Sequence, residues 1–128
     1  MTQHFSKTIS STFEDVLSRT KEGLEREGFG VLTEVDFSAT LKEKLDVDFQ
    51  NYRILGACNT SLAYKALKAN KKIGALLPCN IIVQERAEGY IEVSTVDPAE
   101  TLNIAGNPEL AAIAEEVRSR LKSVVRGL

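Results

Sequence analysis

The chain has 128 residues, of which 43% are hydrophobic and 27% are charged, and 16 lysines and arginines against 18 acidic residues give it a net charge of −2. This composition is that of one globular domain, predicted to span residues 1–128, which can bury enough surface to fold without disulfides or a structural metal. Nucleic-acid backbones and anionic membrane surfaces both attract clustered positive charge, so the charge balance disfavours these two partners.

The first elements are predicted by hydrophobic alternation and by helix-end signals. Alternation over residues 4–9 predicts a strand, and Ser11-Thr12-Phe13-Glu14 has the hydroxyl and carboxylate spacing of a capping box. Gly28 suits the left-handed position that ends the following helix. Residues 29–37 alternate again and predict a second strand.

A short helix and a third strand follow. Ser38 is placed to cap a helix over residues 39–45, with Leu41 and Leu45 turned inward. Residues 52–58 predict a third strand, in which the apolar residues do not simply alternate.

The second half predicts two strands and two helices. Asn59 or Thr60 can cap a helix that fades near Asn70. Residues 79–86 and 90–96 predict a hairpin around Ala87-Glu88-Gly89. Asn107-Pro108 then starts a long helix with one apolar stripe, which comprises Leu110, Ile113, Ala114, Val117, Leu121 and Val124.

The order β-α-β-(short α)-β-α-β-β-α predicts the α+β class, with a mostly antiparallel five-stranded sheet and the long helices packed on one face. Strand alternation assigns to the helix side Val31, Val35, Ile54, Ile81, Val83, Ile91 and Val93. It assigns to the opposite face Leu32, Leu55, Ile82 and Val96, with Arg53 and Arg86 among its charged residues. An apolar strip with charged flanks is typical of an interface, so we expect a homodimer unless residues 60–70 cover this face.

The middle of the chain resembles a known family. The segments Leu55-Gly56-Ala57-Cys58-Asn59 and Leu77-Pro78-Cys79-Asn80, with Val96-Asp97-Pro98, are similar to those of the family called domain of unknown function 302. Thr60-Ser61 stand where members commonly have proline, and Glu100-Thr101-Leu102 stand where members often have methionine. The resemblance implies an α+β fold like that of the TATA-box-binding protein, and it implies no established activity.

Two cysteines, Cys58 and Cys79, are candidate site residues because they lie at facing strand ends. They could be a redox pair, part of a metal site, or a nucleophile, or they could be packed thiols without chemistry. A structural zinc site needs about four ligands, and the sequence offers only these cysteines and the distant His4, so no metal is predicted. The cofactor is unknown.

The polar candidates lie beside the cysteines and around the short helix. Asn59 and Asn80 could bind a ligand's polar group, or they could serve capping and turn hydrogen bonds. Asp36 and Lys44 could belong to a polar pocket with a tuned pKa, or to an ordinary solvated surface.

Two functions from different classes remain open. One is a dimeric module that binds a small ligand or a partner, and the other is a thiol-dependent enzyme or redox sensor that uses Cys58 and Cys79. The absence of an accompanying base favours the first. The N-terminal residues have no basic or apolar signal segment, and both cysteines are expected to be free, so we expect a cytoplasmic protein.

Overall fold

A computed structural model describes residues 4–102 and 107–128. These residues contain five strands, five α-helices and one 3-10 helix. The strands are β1 (His4–Ser10), β2 (Gly30–Asp36), β3 (Tyr52–Cys58), β4 (Cys79–Ala87) and β5 (Tyr90–Val96). The helices are α1 (Phe13–Arg26), α2 (Phe37–Leu45), α3 (Thr60–Ala69), the 3-10 helix (Lys71–Leu76), α4 (Pro98–Leu102) and α5 (Pro108–Arg126).

The strands form one antiparallel sheet in the order β1-β5-β4-β3-β2. The β4–β5 hairpin turns at Gly89, whose φ of +81° is a left-handed conformation that glycine adopts without steric cost. The predicted α+β class and the five-stranded antiparallel sheet are confirmed.

The core lies between one face of the sheet and the long helices. The predicted stripe of α5 is buried throughout, and the inward residues of α1 join it. Ile81, Val83, Ile91 and Val93 meet these helices from the two central strands, as predicted. Hydrogen bonds also hold the C-terminal half of α5. Lys7 donates to the main-chain carbonyls of Arg126 and Leu128, and Arg120 donates to the carbonyl of Glu27 at 2.9 Å.

The predicted faces of β3 are wrong. Leu55 is fully buried on the helix side, paired with Ile81, whereas Ile54 lies on the opposite face. Arg53 shares the face of Leu55, and its guanidinium carbon is 6.0 Å from the ring centroid of Phe13. Arg53 is therefore not at the margin of the opposite face, where it was expected.

The predicted faces of β2 fail beyond Val31. The register with β3 shifts between Val31 and Thr33, and this bulge brings Glu34 opposite the buried Leu55. Val35 is consequently on the opposite face and 41% exposed. A bulge adds one residue to one strand, so every later side chain changes face.

The helices show two further differences, at the start of α1 and in α2, and the position of α3 bears on the expected exposure of the opposite sheet face. The cap of α1 is Thr12, whose hydroxyl accepts from the amide of Asp15, one residue later than Ser11. Helix α2 begins at Phe37 under an Asp36 cap, and Leu45 is 66% exposed rather than turned inward. Helix α3 contacts α5 on the helix side, so it does not cover the opposite face of the sheet.

His4 lies in β1, within the predicted first strand, and pairs with Val96. Its side chain and those of Thr101 and Leu102 lie outside the described residues. In the described ranges, 4–102 and 107–128, no helix combines the length and apolarity needed to cross a membrane.

Candidate functional site

The two cysteine-containing motifs meet at Gly56. A Cβ built on Gly56 would lie 2.8 Å from Cγ of Pro78 and 2.1 Å from Oγ1 of Thr33, so only glycine fits at this position. Pro78 follows a cis peptide bond and stands directly before β4, where its missing N–H removes no ladder bond. The Leu-Gly-x-Cys-Asn and Leu-Pro-Cys-Asn segments therefore form one packed unit across β3 and β4.

Three of the six candidate residues line one small cavity between the sheet, α3 and α5. Cys58, Asn59 and Cys79 surround it together with apolar residues, and it leaves about 20 Å³ for a water-sized molecule. This space accommodates about one water, and its lining is almost wholly apolar, so the cavity is too small for an organic ligand and is suited to staying dry.

The thiols are suppressed as nucleophiles by burial. Desolvation raises the pKa of Cys58, and it raises the pKa of Cys79 to about 11, with a smaller contribution from the nearby Cys58. Both cysteines are free, and Cys79 is paired with Ala57 rather than with Cys58. The thiolate is the reactive form of cysteine, so both groups are in the unreactive form at neutral pH.

The two asparagines are separated. Asn59 caps α3, its side-chain oxygen accepting from the amide of Leu62 at 3.1 Å. Asn80 is exposed on the opposite face of the sheet, and its main-chain carbonyl accepts from the hydroxyl of Thr95 at 3.0 Å. They cannot form one amide pair around a single ligand.

Asp36, the last residue of β2 and the cap of α2, and Lys44, on α2, lie away from the cysteines. Hydrogen bonds from the Ser38 hydroxyl and the Ala39 amide lower the pKa of Asp36, and nearby Arg53 adds to the effect. Lys44 is exposed. Asp36 is therefore a helix cap whose ionised carboxylate is stabilised by hydrogen bonds. Asp36 and Lys44 do not form the polar pocket that the sequence left open as a possibility.

The larger recess is an apolar groove at the end of the sheet, between β2, α3 and the 3-10 helix. It is open to solvent, has a volume of about 450 Å³, and has an almost entirely apolar lining. Two of its walls are large side chains left open to solvent, Leu32 at 60% and Tyr64 at 64% exposure. The groove is lined by Leu32, Cys58, Thr60, Ala63, Tyr64, Leu67, Gly74, Leu77 and Pro78.

Only Cys58 among the predicted site residues reaches this groove. The spacing of Thr60, Ala63, Tyr64 and Leu67 is the signal that could have indicated it, since these positions share one face of a helix. A second face of α3, with Leu62 and Ala66, is already buried in the core. Helix α3 therefore has two such faces, of which one packs in the core and the other is available to a ligand or partner.

Asp97, in the Val96-Asp97-Pro98 segment, has a structural role. It is almost completely buried, accepts from the amide of Ala99 at the start of α4, and pairs with Nε of Arg118 at 3.0 Å. This pair and a hydrogen bond to Glu115 raise the pKa of Arg118. In the described parts of the chain, no group of three or more histidine, cysteine or acidic side chains could hold a metal ion.

Comparison with known proteins identifies the family. The sequence profile described as "Domain of unknown function DUF302" matches residues 5–128. The crystal structure of an uncharacterized conserved protein DUF302 from Bacillus stearothermophilus is similar, with a TM-score of 0.87 and 29% identity, over 96% of this chain and 95% of that one. No curated protein matches. The chain therefore belongs to the DUF302 family.

Proposed function

We propose that this protein is a binding module that holds a small, mainly apolar molecule in the groove beside α3. The observation that carries the proposal is the almost wholly apolar lining of this groove, an open recess of about 450 Å³. Small-molecule sites typically enclose about 300–1,000 Å³ and combine apolar walls with a few polar groups. The hydroxyl of Thr60 and the thiol of Cys58 are polar groups of that kind.

The thiols support binding rather than catalysis. A thiol enzyme or sensor needs a lowered cysteine pKa, but burial raises the pKa of both Cys58 and Cys79. The neutral thiol of Cys58 is instead a weakly polar, polarisable part of the groove wall. A cytoplasmic location fits this role, because a reducing compartment keeps both cysteines free.

The experiment is a titration with N-phenyl-1-naphthylamine, a neutral apolar dye whose fluorescence rises in apolar surroundings. The blocking variant is Gly74→Leu, since a Cβ at Gly74 lies 3.9 Å from Cδ2 of Leu67 and extends a larger side chain into the groove. The matched control is Ala75→Leu, which adds a bulkier side chain at an exposed position of the same 3-10 helix outside the groove lining.

We expect saturable binding by the wild type and by Ala75→Leu. Gly74→Leu should weaken binding about tenfold or more, which corresponds to about 1.4 kcal/mol. Failure of the wild type to bind the dye, or equal binding by both variants, contradicts the proposal. Circular dichroism of each variant shows whether a loss of binding reflects a loss of fold.

A further inference from the structure

Positive charge is concentrated beside the groove. Helix α3 and the 3-10 helix together carry four lysines and no acidic residue, in a chain whose net charge is −2. We call Lys65, Lys68, Lys71 and Lys72 the lysine rim. All four are exposed, and within the described residues none of them forms a salt bridge.

The rim continues the groove-lining face of α3. The groove residue Tyr64 is followed four positions later by Lys68 within α3, whereas Lys71 comes after the extended Asn70 and begins the 3-10 helix, whose Gly74 also lines the groove. Side chains four apart are neighbours on a helix, so Lys68 stands directly beyond Tyr64. Its Nζ atom is 5.1 Å from the centroid of the Tyr64 ring, which places an ammonium group against a wall of the groove.

An ordinary solvated helix face would mix charges of both signs, because alternating signs reduce repulsion and add ion pairs. Four lysines, with no carboxylate on either of these two helices, leave a local excess of positive charge beside the groove. A membrane surface is the alternative partner. A helix that lies in a bilayer presents its apolar face outward, whereas a concave recess receives a single apolar tail. Leu62 and Ala66 of α3 instead face the core.

We propose that the ligand is a single anionic amphiphile, with its apolar tail in the groove and its carboxylate or phosphate head at the lysine rim. Lysine ammonium groups act as mobile point charges that suit such heads. This inference rests on the proposed apolar binding function and adds the charge and position of the ligand's head.

The experiment compares three ligands of one tail length as competitors of N-phenyl-1-naphthylamine. Decanoate, decanol and decyltrimethylammonium are each used below their micelle concentrations, at low and high salt. We expect decanoate to compete about threefold to thirtyfold more strongly than decanol, as for a few exposed ion pairs, and decyltrimethylammonium to be the weakest. High salt should remove the advantage of decanoate and leave decanol unchanged.

The lysines are tested by the double substitution Lys68→Gln with Lys71→Gln. Its matched control is Lys42→Gln with Lys44→Gln on α2, which removes the same charge from a surface outside the groove lining. The first variant should bind the neutral dye and decanol like the wild type and lose most of the preference for decanoate. The control should keep that preference.

The outcomes separate this inference from the proposed function. Equal competition by decanoate and decanol overturns the anionic head and leaves apolar binding intact, whereas absence of any dye binding overturns the proposed function. Lysine-dependent binding to anionic phospholipid vesicles without competition by monomeric decanoate overturns the single amphiphile in favour of a membrane surface. A preference for decanoate that persists in the Lys68→Gln, Lys71→Gln variant overturns the lysine rim as its cause.

Discussion

Replacing Gly56 by alanine tests the packed unit that joins the two cysteine motifs. The added Cβ would lie 2.1 Å from Oγ1 of Thr33 and 2.8 Å from Cγ of Pro78. Ordinary contacts begin near 3.4 Å, so Thr33 must move by more than 1 Å and the rigid proline ring by several tenths. The edge strand β2 can yield outward, but β4 is held on both sides.

We expect Gly56→Ala to lower the free energy of unfolding by about 1–3 kcal/mol, the usual effect of overpacking. This corresponds to a fall in Tm of about 4–12 °C for a chain of this size. Calorimetry and urea unfolding of the same samples measure both quantities. The matched control is Gly30→Ala on β2, where the nearest atom to the added Cβ is 3.9 Å away and no clash arises.

Thr33→Ala combined with Gly56→Ala completes the double-mutant cycle. Removing Oγ1 eliminates the closest contact, so part of the loss should be recovered, with a coupling energy of about 1 kcal/mol. A Gly56→Ala protein as stable as Gly30→Ala would refute the close packing around Gly56. Independent, additive effects at Thr33 and Gly56 would show that Pro78 alone provides the constraint.

Three further predictions concern the core, the Asp97–Arg118 ion pair and the thiols. Leu121→Ala should lower the free energy of unfolding by about 2–5 kcal/mol, because Leu121 is fully buried; a loss under about 0.5 kcal/mol in urea unfolding would contradict this placement. Asp97→Ala should lower the free energy of unfolding by about 0.5–2 kcal/mol, the usual cost of a lost helix cap, because it removes the buried carboxylate that accepts from the amide of Ala99. Glu115→Ala, which removes only the exposed partner of Arg118, should cost less, and equal losses for the two variants in urea unfolding would contradict this role of Asp97. Because burial raises the pKa of Cys79 from 9.0 to about 11, its contribution to stability is complete below pH 9 and is lost as the pH rises towards 11. Cys79→Ala should weaken this dependence and leave the part due to Cys58, and rapid alkylation of Cys79 at neutral pH would contradict the raised pKa.

Local signals predicted the elements well because each carries its own periodicity and ends. The Asn107-Pro108 pair indicates where α5 begins, and its apolar stripe indicates which face of the helix is buried. The start of α2 was missed because Asp36 and Ser38 are both residue types that cap helices well. In the structure Asp36 is the cap, and the hydroxyl of Ser38 donates a hydrogen bond to its carboxylate.

The faces of the strands were harder to predict. Ile54 and Leu55 are adjacent and equally apolar, so alternation alone cannot choose between them. The bulge before Thr33 depends on pairing with β3, which no local pattern records. The groove is similarly non-local, because its walls come from three elements, while the cysteines that drew attention lie mostly around a cavity too small for a ligand.

The sheet face opposite the helices still predicts self-association, through a different set of residues from the one first expected. Val35, Ile54 and Ile82 are paired in register across β2, β3 and β4, and they form one apolar row near the middle of the face. The row continues into Ser94 and Ser6, where small side chains leave the face flat.

This face is large enough for a modest interface. Five strands of at least seven residues each cover about 24 by 23 Å, or roughly 550 Å² of flat area. A standard interface buries about 800 Å² of accessible surface per partner, so a two-fold pairing of the whole face would approach the usual size without exceeding it. We therefore predict a homodimer that forms at micromolar concentration and dissociates on dilution.

Sedimentation equilibrium over a range of protein concentrations measures the prediction, with Ile82→Glu as the disrupting variant. A carboxylate in the centre of the apolar row would be desolvated without a partner in the dimer, so this variant should remain monomeric. Ser18→Glu adds the same charge to the exposed surface of α1 on the other side of the molecule and should associate like the wild type. Ile82 is half-buried in the isolated chain, so circular dichroism must first show that Ile82→Glu is folded. A wild type that is monomeric at every concentration, or a dimer equally tolerant of both substitutions, would place any interface elsewhere.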